Sequence, residues 1–121
     1  MANDKLELHN KNHVHLLGIG GIGMSGIASI LYDQGHTVSG SDLKPSRQTE
    51  KLQEKGITII FDHNSNYILQ NKVDLLVVSS AIPDNNPEII LAQNNGIKII
   101  KRAQMVNQLM LNYSHRIAIS G

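Results

Sequence analysis

The stretch His15-Leu16-Leu17-Gly18-Ile19-Gly20-Gly21-Ile22-Gly23-Met24-Ser25-Gly26-Ile27-Ala28 decides how this chain is read. A short apolar run, Val14–Leu17, leads into a G-x-G-x-x-G loop at Gly18, Gly20 and Gly23. Behind the loop, Ile27, Ala28, Ile30 and Leu31 recur near helical spacing through a segment Met24–Gln34. Strand, glycine loop and helix in that order are the context that gives the motif meaning. Bare backbone turns tightly and approaches a diphosphate closely. The N–H groups that open the next helix then bond its oxygens, helped by the helix dipole. The competing reading is a glycine-rich turn required only for packing.

Outward from this loop the same grammar repeats. Further short apolar runs occur at Thr37–Gly40, Ile57–Phe61, Val73–Val78, Ile97–Ile100 and Ile117–Ile119. Most are near-continuous and rich in β-branched residues, as strands covered on both faces are. Gly35, Gly56 and Gly96 each stand between a helix-like segment and the next run, where a left-handed helix terminus suits glycine. Between runs, Ser46–Lys55 is weakly amphipathic, and Asn64–Asn71 reads as a turn or short helix. Asn86 caps a helix starting at Pro87, and Met105, Val106, Leu109 and Met110 give a last helix its apolar face. Alternating strands and helices predict an α/β fold: a Rossmann-like open parallel sheet with helices on both faces, three layers in all. Residues 1–12 read as a polar, flexible lead-in and 13–121 as one domain.

Composition narrows the function. With 11 basic and 10 acidic residues the net charge is +1, and aromatics make up 3%, so neither a nucleic-acid footprint nor a base-stacking platform is expected. No apolar run is long enough to span a membrane. The absence of cysteine excludes disulfides and thiolate chemistry and is compatible with the cytoplasmic location expected here. The six histidines include no H-E-x-x-H motif, and no metal site is expected.

In open parallel sheets ligands bind at the carboxyl ends of strands. The residues that follow each run are therefore the candidate site: Gly18, Gly20, Gly21, Ile22, Gly23, Met24 and Ser25, then Asp42, His63, the group Ser79, Ser80, Ala81 and Ile82, and Arg102. Asp42 lies 19 residues past Gly23. An acid there bonds a nucleotide's ribose or base, or else caps the helix after Pro45. Ser79 and Ser80 lack a G-x-S-x-G elbow, so they offer hydroxyls and amides to a phosphate or sugar, or form a polar turn before Pro83. Arg102 pairs with an anion or is solvated, and Lys101 is read as solvated. No G-x-x-x-x-G-K-[ST] loop and no paired-carboxylate device is present. The chemistry visible in the sequence is binding without a catalyst.

Taken together, the His15–Ala28 block, Val38-Ser39-Gly40-Ser41-Asp42, Val77-Val78-Ser79-Ser80-Ala81-Ile82-Pro83, Asp84-Asn85-Asn86-Pro87-Glu88 and Gly96-Ile97 through Lys101-Arg102-Ala103-Gln104-Met105 resemble the Mur ligases, in particular their UDP-N-acetylmuramate–L-alanine ligase (MurC) branch. The resemblance implies an N-terminal domain that binds UDP-N-acetylmuramate in peptidoglycan precursor synthesis. Gly18–Ser25 would hold the diphosphate, Asp42 and His63 would lie near the uridine, and Ser79–Ile82 would line the diphosphate and sugar. It also implies further domains for ATP, Mg2+ and L-alanine. In the family, ATP phosphorylates the muramyl carboxylate and the alanine amine then displaces phosphate. A G-T-H-G-K-T-type ATP loop would follow Ser120-Gly121, so the 121-residue chain is expected to bind nucleotide sugar without forming the amide. The alternatives are an NAD-binding oxidoreductase domain, a nucleotide-sensing regulatory module, and the recycling murein peptide ligase of the same family.

Overall fold

The computed structural model describes residues 12–62 and 66–120, with side chains through Leu111. Five strands form one parallel sheet: β1 (His13–Leu17), β2 (Thr37–Ser41), β3 (Thr58–Ile60), β4 (Leu75–Val78) and β5 (Lys98–Lys101). Their spatial order is β3-β2-β1-β4-β5. The chain winds outward from β1 in one direction, then returns to its other side. The crevice between β1 and β4 is thus the switch point where ligands of such sheets bind.

Five helices connect and flank the strands: α1 (Ile22–Asp33), α2 (Arg47–Lys55), α3 (Tyr67–Gln70), α4 (Pro87–Asn94) and α5 (Arg102–Ser120). Alternation along the strands splits the core in two. On one face Val14, Leu16, Val38, Leu75 and Val77 pack against Ile27, Leu31, Leu52 and Met105 from α1, α2 and α5. On the other, Leu17, Leu76 and Val78 pack against Ile68, Ile89 and Ala92 from α3 and α4. The fully buried apolar residues are all aliphatic or methionine.

Local signals account for the helix boundaries. Gly35, Gly56 and Gly96 have φ of 95°, 116° and 72°, the left-handed conformation expected at those helix ends. Asn86 caps α4 by accepting the Glu88 N–H at 2.8 Å, with Pro87 in the first turn. Ser46 caps α2 in a reciprocal box with Thr49. The cap reading of Asp42 is therefore corrected: the capping oxygen is four residues later.

Two further expectations are revised. Ile117–Ile119 is helical, the last part of α5, rather than a sixth strand. No glycine or proline interrupts Arg102–Ser120, so no turn precedes that β-branched run and the helix continues through it. Asn12 belongs to the fold and not to a loose lead-in: its carbonyl takes the Thr37 N–H at 3.0 Å, and its own N–H donates to His36 Nδ1 at 3.2 Å. Residues 1–11 lie outside the described residues.

Candidate functional site

The carboxyl edge of the sheet carries two adjoining hollows of about 450 and 360 Å³. The first is lined by Gly18, Gly21, Ile22, Gly23, Met24, Ser79, Ser80, Ala81 and Arg102. The second shares Gly18, Gly21, Ser79 and Ala81 and adds Gly20, Asp42, Lys44, Pro45, Ser46 and Ile82. The structure thus gathers nearly every residue expected from the sequence into one groove beside the β1–β4 crevice. Ser25 is the next helical residue after this lining, and its N–H is used by the Gly21 carbonyl at 3.0 Å. His63 lies outside the described residues.

In the glycine loop the four N–H groups of Gly18–Gly21 are committed internally. Gly18 and Ile19 donate to the Ser41 carbonyl at 2.9 and 3.1 Å, Gly20 to Asp42 Oδ2 at 2.8 Å, and Gly21 to the Gly18 carbonyl at 2.9 Å. Gly18, Gly20 and Gly21 therefore shape the loop rather than supply its donors. Gly18 has φ +75°, which only glycine adopts at little cost. A Cβ on Gly20 would stand 2.8 Å from Asp42 Oδ2 and 2.9 Å from Thr49 Cγ2, so this glycine is needed for packing against the start of α2. For Gly20 the packing alternative is correct.

The available donors lie one step further on. Among the described residues, the N–H groups of Ile22, Gly23 and Met24 have no partner, as the first turn of a helix requires. The first turn of α1 holds no acidic residue, and its N-cap, Gly21, has no side chain to close it. Arg102 reaches the same place from the start of α5: a Cβ on Gly23 would meet its Nη1 at 2.8 Å. The missing side chain at position 23 thus lets a guanidinium lie over the positive end of α1. Three unpaired donors, a helix dipole and a nearby guanidinium are features that favour an anion.

Asp42 braces the opposite end. Its two oxygens accept the Gly20 N–H and, at 2.7 Å, the Leu43 N–H. A carboxylate accepts at about four positions, so ribose hydroxyls can still be bonded. Lys44, Pro45 and Ser46 beside it were not singled out by sequence reasoning. The signal was their place directly after Asp42, in the turn leaving β2.

Among the described residues no group of three or more histidine, cysteine or acidic side chains is placed to hold a metal. Nor does the sequence contain a lysine-bearing phosphate loop. Among the described residues none is placed to hold ATP with magnesium, and no helix there is long and apolar enough to cross a membrane.

A parallel doubly wound sheet with a glycine-rich loop and unpaired helix-start N–H groups at its switch point defines a Rossmann-like domain. Within that class the chain belongs to the Mur ligase family, whose model "Mur ligase family, catalytic domain" matches residues 13–114. It is 42% identical over 97% of its length to a UDP-N-acetylmuramate–L-alanine ligase of Agathobacter rectalis and spans 25% of that relative. The solved UDP-N-acetylmuramate–alanine ligase of Thermotoga maritima superposes with a TM-score of 0.76 at 31% identity, over 84% of this chain and 23% of that one. A murein peptide ligase of Psychrobacter arcticus gives 0.71 at 30% identity, over 80% of this chain and 20% of that one.

Proposed function

We propose that residues 13–121 are the UDP-N-acetylmuramate-binding domain of an ATP-dependent ligase that joins L-alanine to UDP-N-acetylmuramate in peptidoglycan precursor synthesis in the cytoplasm. One observation carries the reading: the three unpaired N–H groups of Ile22, Gly23 and Met24 lie beneath the Arg102 guanidinium, in a groove long enough to continue to Asp42. The diphosphate sits on the start of α1, where the donors and charge converge. The uridine extends toward Asp42, Lys44 and Ser46, and the family resemblance implies that His63 also lies near it. Ser79, Ser80, Ala81 and Ile82 form the wall shared by both hollows and line the diphosphate and sugar.

This chain's residues bind and orient the nucleotide sugar; ATP, Mg2+ and alanine belong to partner domains of the same enzyme. Calorimetry on the 121-residue chain with UDP-N-acetylmuramate, UDP and NADH tests the reading. Binding of the two uridine compounds but not NADH is expected. Preference for NADH would support the oxidoreductase alternative and end this one. The murein peptide ligase reading, whose likeness superposes less well than the alanine ligase (0.71 against 0.76), shares this domain's ligand. It differs in the acceptor joined, alanine or a peptide, which an assay of the complete enzyme separates.

A further inference from the structure

The α4-facing side of the sheet buries a row of polar groups amid its aliphatic core. His15, Ser39, Ser41 and Glu88 are each 0–2% exposed. His13 Nε2 and His15 Nδ1 both meet Ser39 Oγ, at 2.8 and 2.7 Å. His15 Nε2 stands 3.5 Å from Glu88 Oε2, and the Ser41 hydroxyl donates to that same oxygen at 2.8 Å. The backbone around Glu88 is fixed too, its N–H held by the Asn86 side chain.

Apolar packing does not explain this arrangement. A buried carboxylate is costly, and an aliphatic residue of similar volume often stabilises a core as well or better. What the carboxylate adds is direction. It holds Ser41, the last residue of β2, whose carbonyl takes both the Gly18 and Ile19 N–H groups. The start of the loop, Gly18 and Ile19, therefore hangs from Ser41, which is tethered by Glu88 from 47 positions away.

We propose that Glu88 is a positioning residue for the diphosphate loop, acting through the Ser41 hydroxyl to hold the carbonyl that anchors Gly18 and Ile19. The inference rests on the loop being the diphosphate site. Glu88 touches no ligand; it holds the loop that leads into the donors of Ile22, Gly23 and Met24.

Amide hydrogen exchange on the isotopically labelled 121-residue chain, without ligand, tests the tether directly. Glu88→Leu preserves volume and removes the acceptor, Ser41→Ala removes the donor, and Glu88→Gln keeps an oxygen for Ser41. In the first two, Gly18 and Ile19 are expected to exchange about tenfold faster while Leu76 and Val77 in the central sheet keep their protection. UDP-N-acetylmuramate Kd rises about tenfold in the same two variants. Glu88→Gln restores most of both. Unchanged protection at Gly18 and Ile19 overturns the proposal, as does equal loss at Leu76 and Val77, which would mean general destabilisation only. Should Glu88→Leu fail to fold, Ser41→Ala decides alone. If the wild-type chain fails to bind UDP-N-acetylmuramate, the proposed function falls, yet the exchange measurement still decides whether Glu88 tethers the loop.

Discussion

Gly40 offers a sharp test of how the loop is seated. It lies in β2 opposite Leu16 and Ile59, and the Ile19 side chain folds down over it. A Cβ added there would stand 2.4 Å from Ile19 Cδ1, 2.6 Å from Ile19 Cβ and 2.8 Å from the Leu16 carbonyl oxygen. The terminal methyl can swing aside, but Ile19 Cβ and the Leu16 carbonyl move only with the backbone. Gly40→Ala must therefore push β2 from β1 or lift Ile19 out of its fully buried position. Overpacking of this kind costs roughly 1–3 kcal/mol, and contacts at fixed atoms place it near the upper limit. The reduced freedom of the unfolded chain returns about 0.4–1 kcal/mol, leaving a net loss of about 2 kcal/mol. At about 4–8 °C per kcal/mol for a domain near this size, Tm should fall by roughly 8–15 °C. Circular-dichroism melts read this, with Gly26→Ala as the opposite control. Gly26 lies in α1 with nothing within 4 Å of an added Cβ, so alanine there should stabilise by about 0.5–1 kcal/mol. A Gly40→Ala melt within about 2 °C of wild type would show that Ile19 does not rest on β2.

Three shorter predictions address the site and its surroundings. Arg102→Ala should weaken UDP-N-acetylmuramate binding by about tenfold, the worth of one charge-assisted contact, and flatten its salt dependence; because Arg102 is exposed, Tm should stay put. Ser46→Ala removes the α2 cap and should lower stability by about 1 kcal/mol in urea titrations. Burial holds the His13 imidazole below its usual pKa of 6.5, and nearby His15 pushes it the same way, against the opposing pull of the Asn71 carbonyl and Asp74. Ser39 and Tyr67 also face the ring. The unfolded chain therefore takes up that proton first, and stability should decline as pH drops below about 6.5, levelling off under the folded pKa. His13→Gln should lose that component of the pH profile.

Most of the architecture was legible because it depends on local chemistry. Gly35, Gly56 and Gly96 marked helix ends from their neighbours alone, and all have the expected left-handed φ. Asn86-Pro87 announced α4 equally well. The Ile117–Ile119 run misled because β-branching was weighed without asking what would stop the preceding helix. At the groove, the gathering of Gly18–Met24, Ser79–Ile82 and Arg102 followed from their places after strands. The division of labour within the loop did not. That Asp42 and the Ser41 carbonyl use up the loop's N–H groups depends on how β2 lies against β1. Glu88 was the least legible, since the sequence presents it as an ordinary acid in the first turn of a helix. Only pairing across the core shows that its carboxylate is inside.

The strand order also decides which sheet margins are left open. Among the described residues the sheet ends on β3 and β5, whose outer rims present backbone that another molecule's strand could zip onto. The β3 rim is three residues long, too short a template to hold a newcomer. The β5 rim is longer but begins at Lys98 and finishes at Lys101, so an identical strand arriving there would bring like charge against like. Brevity on one side and a lysine at each end on the other make both margins poor templates for a further strand.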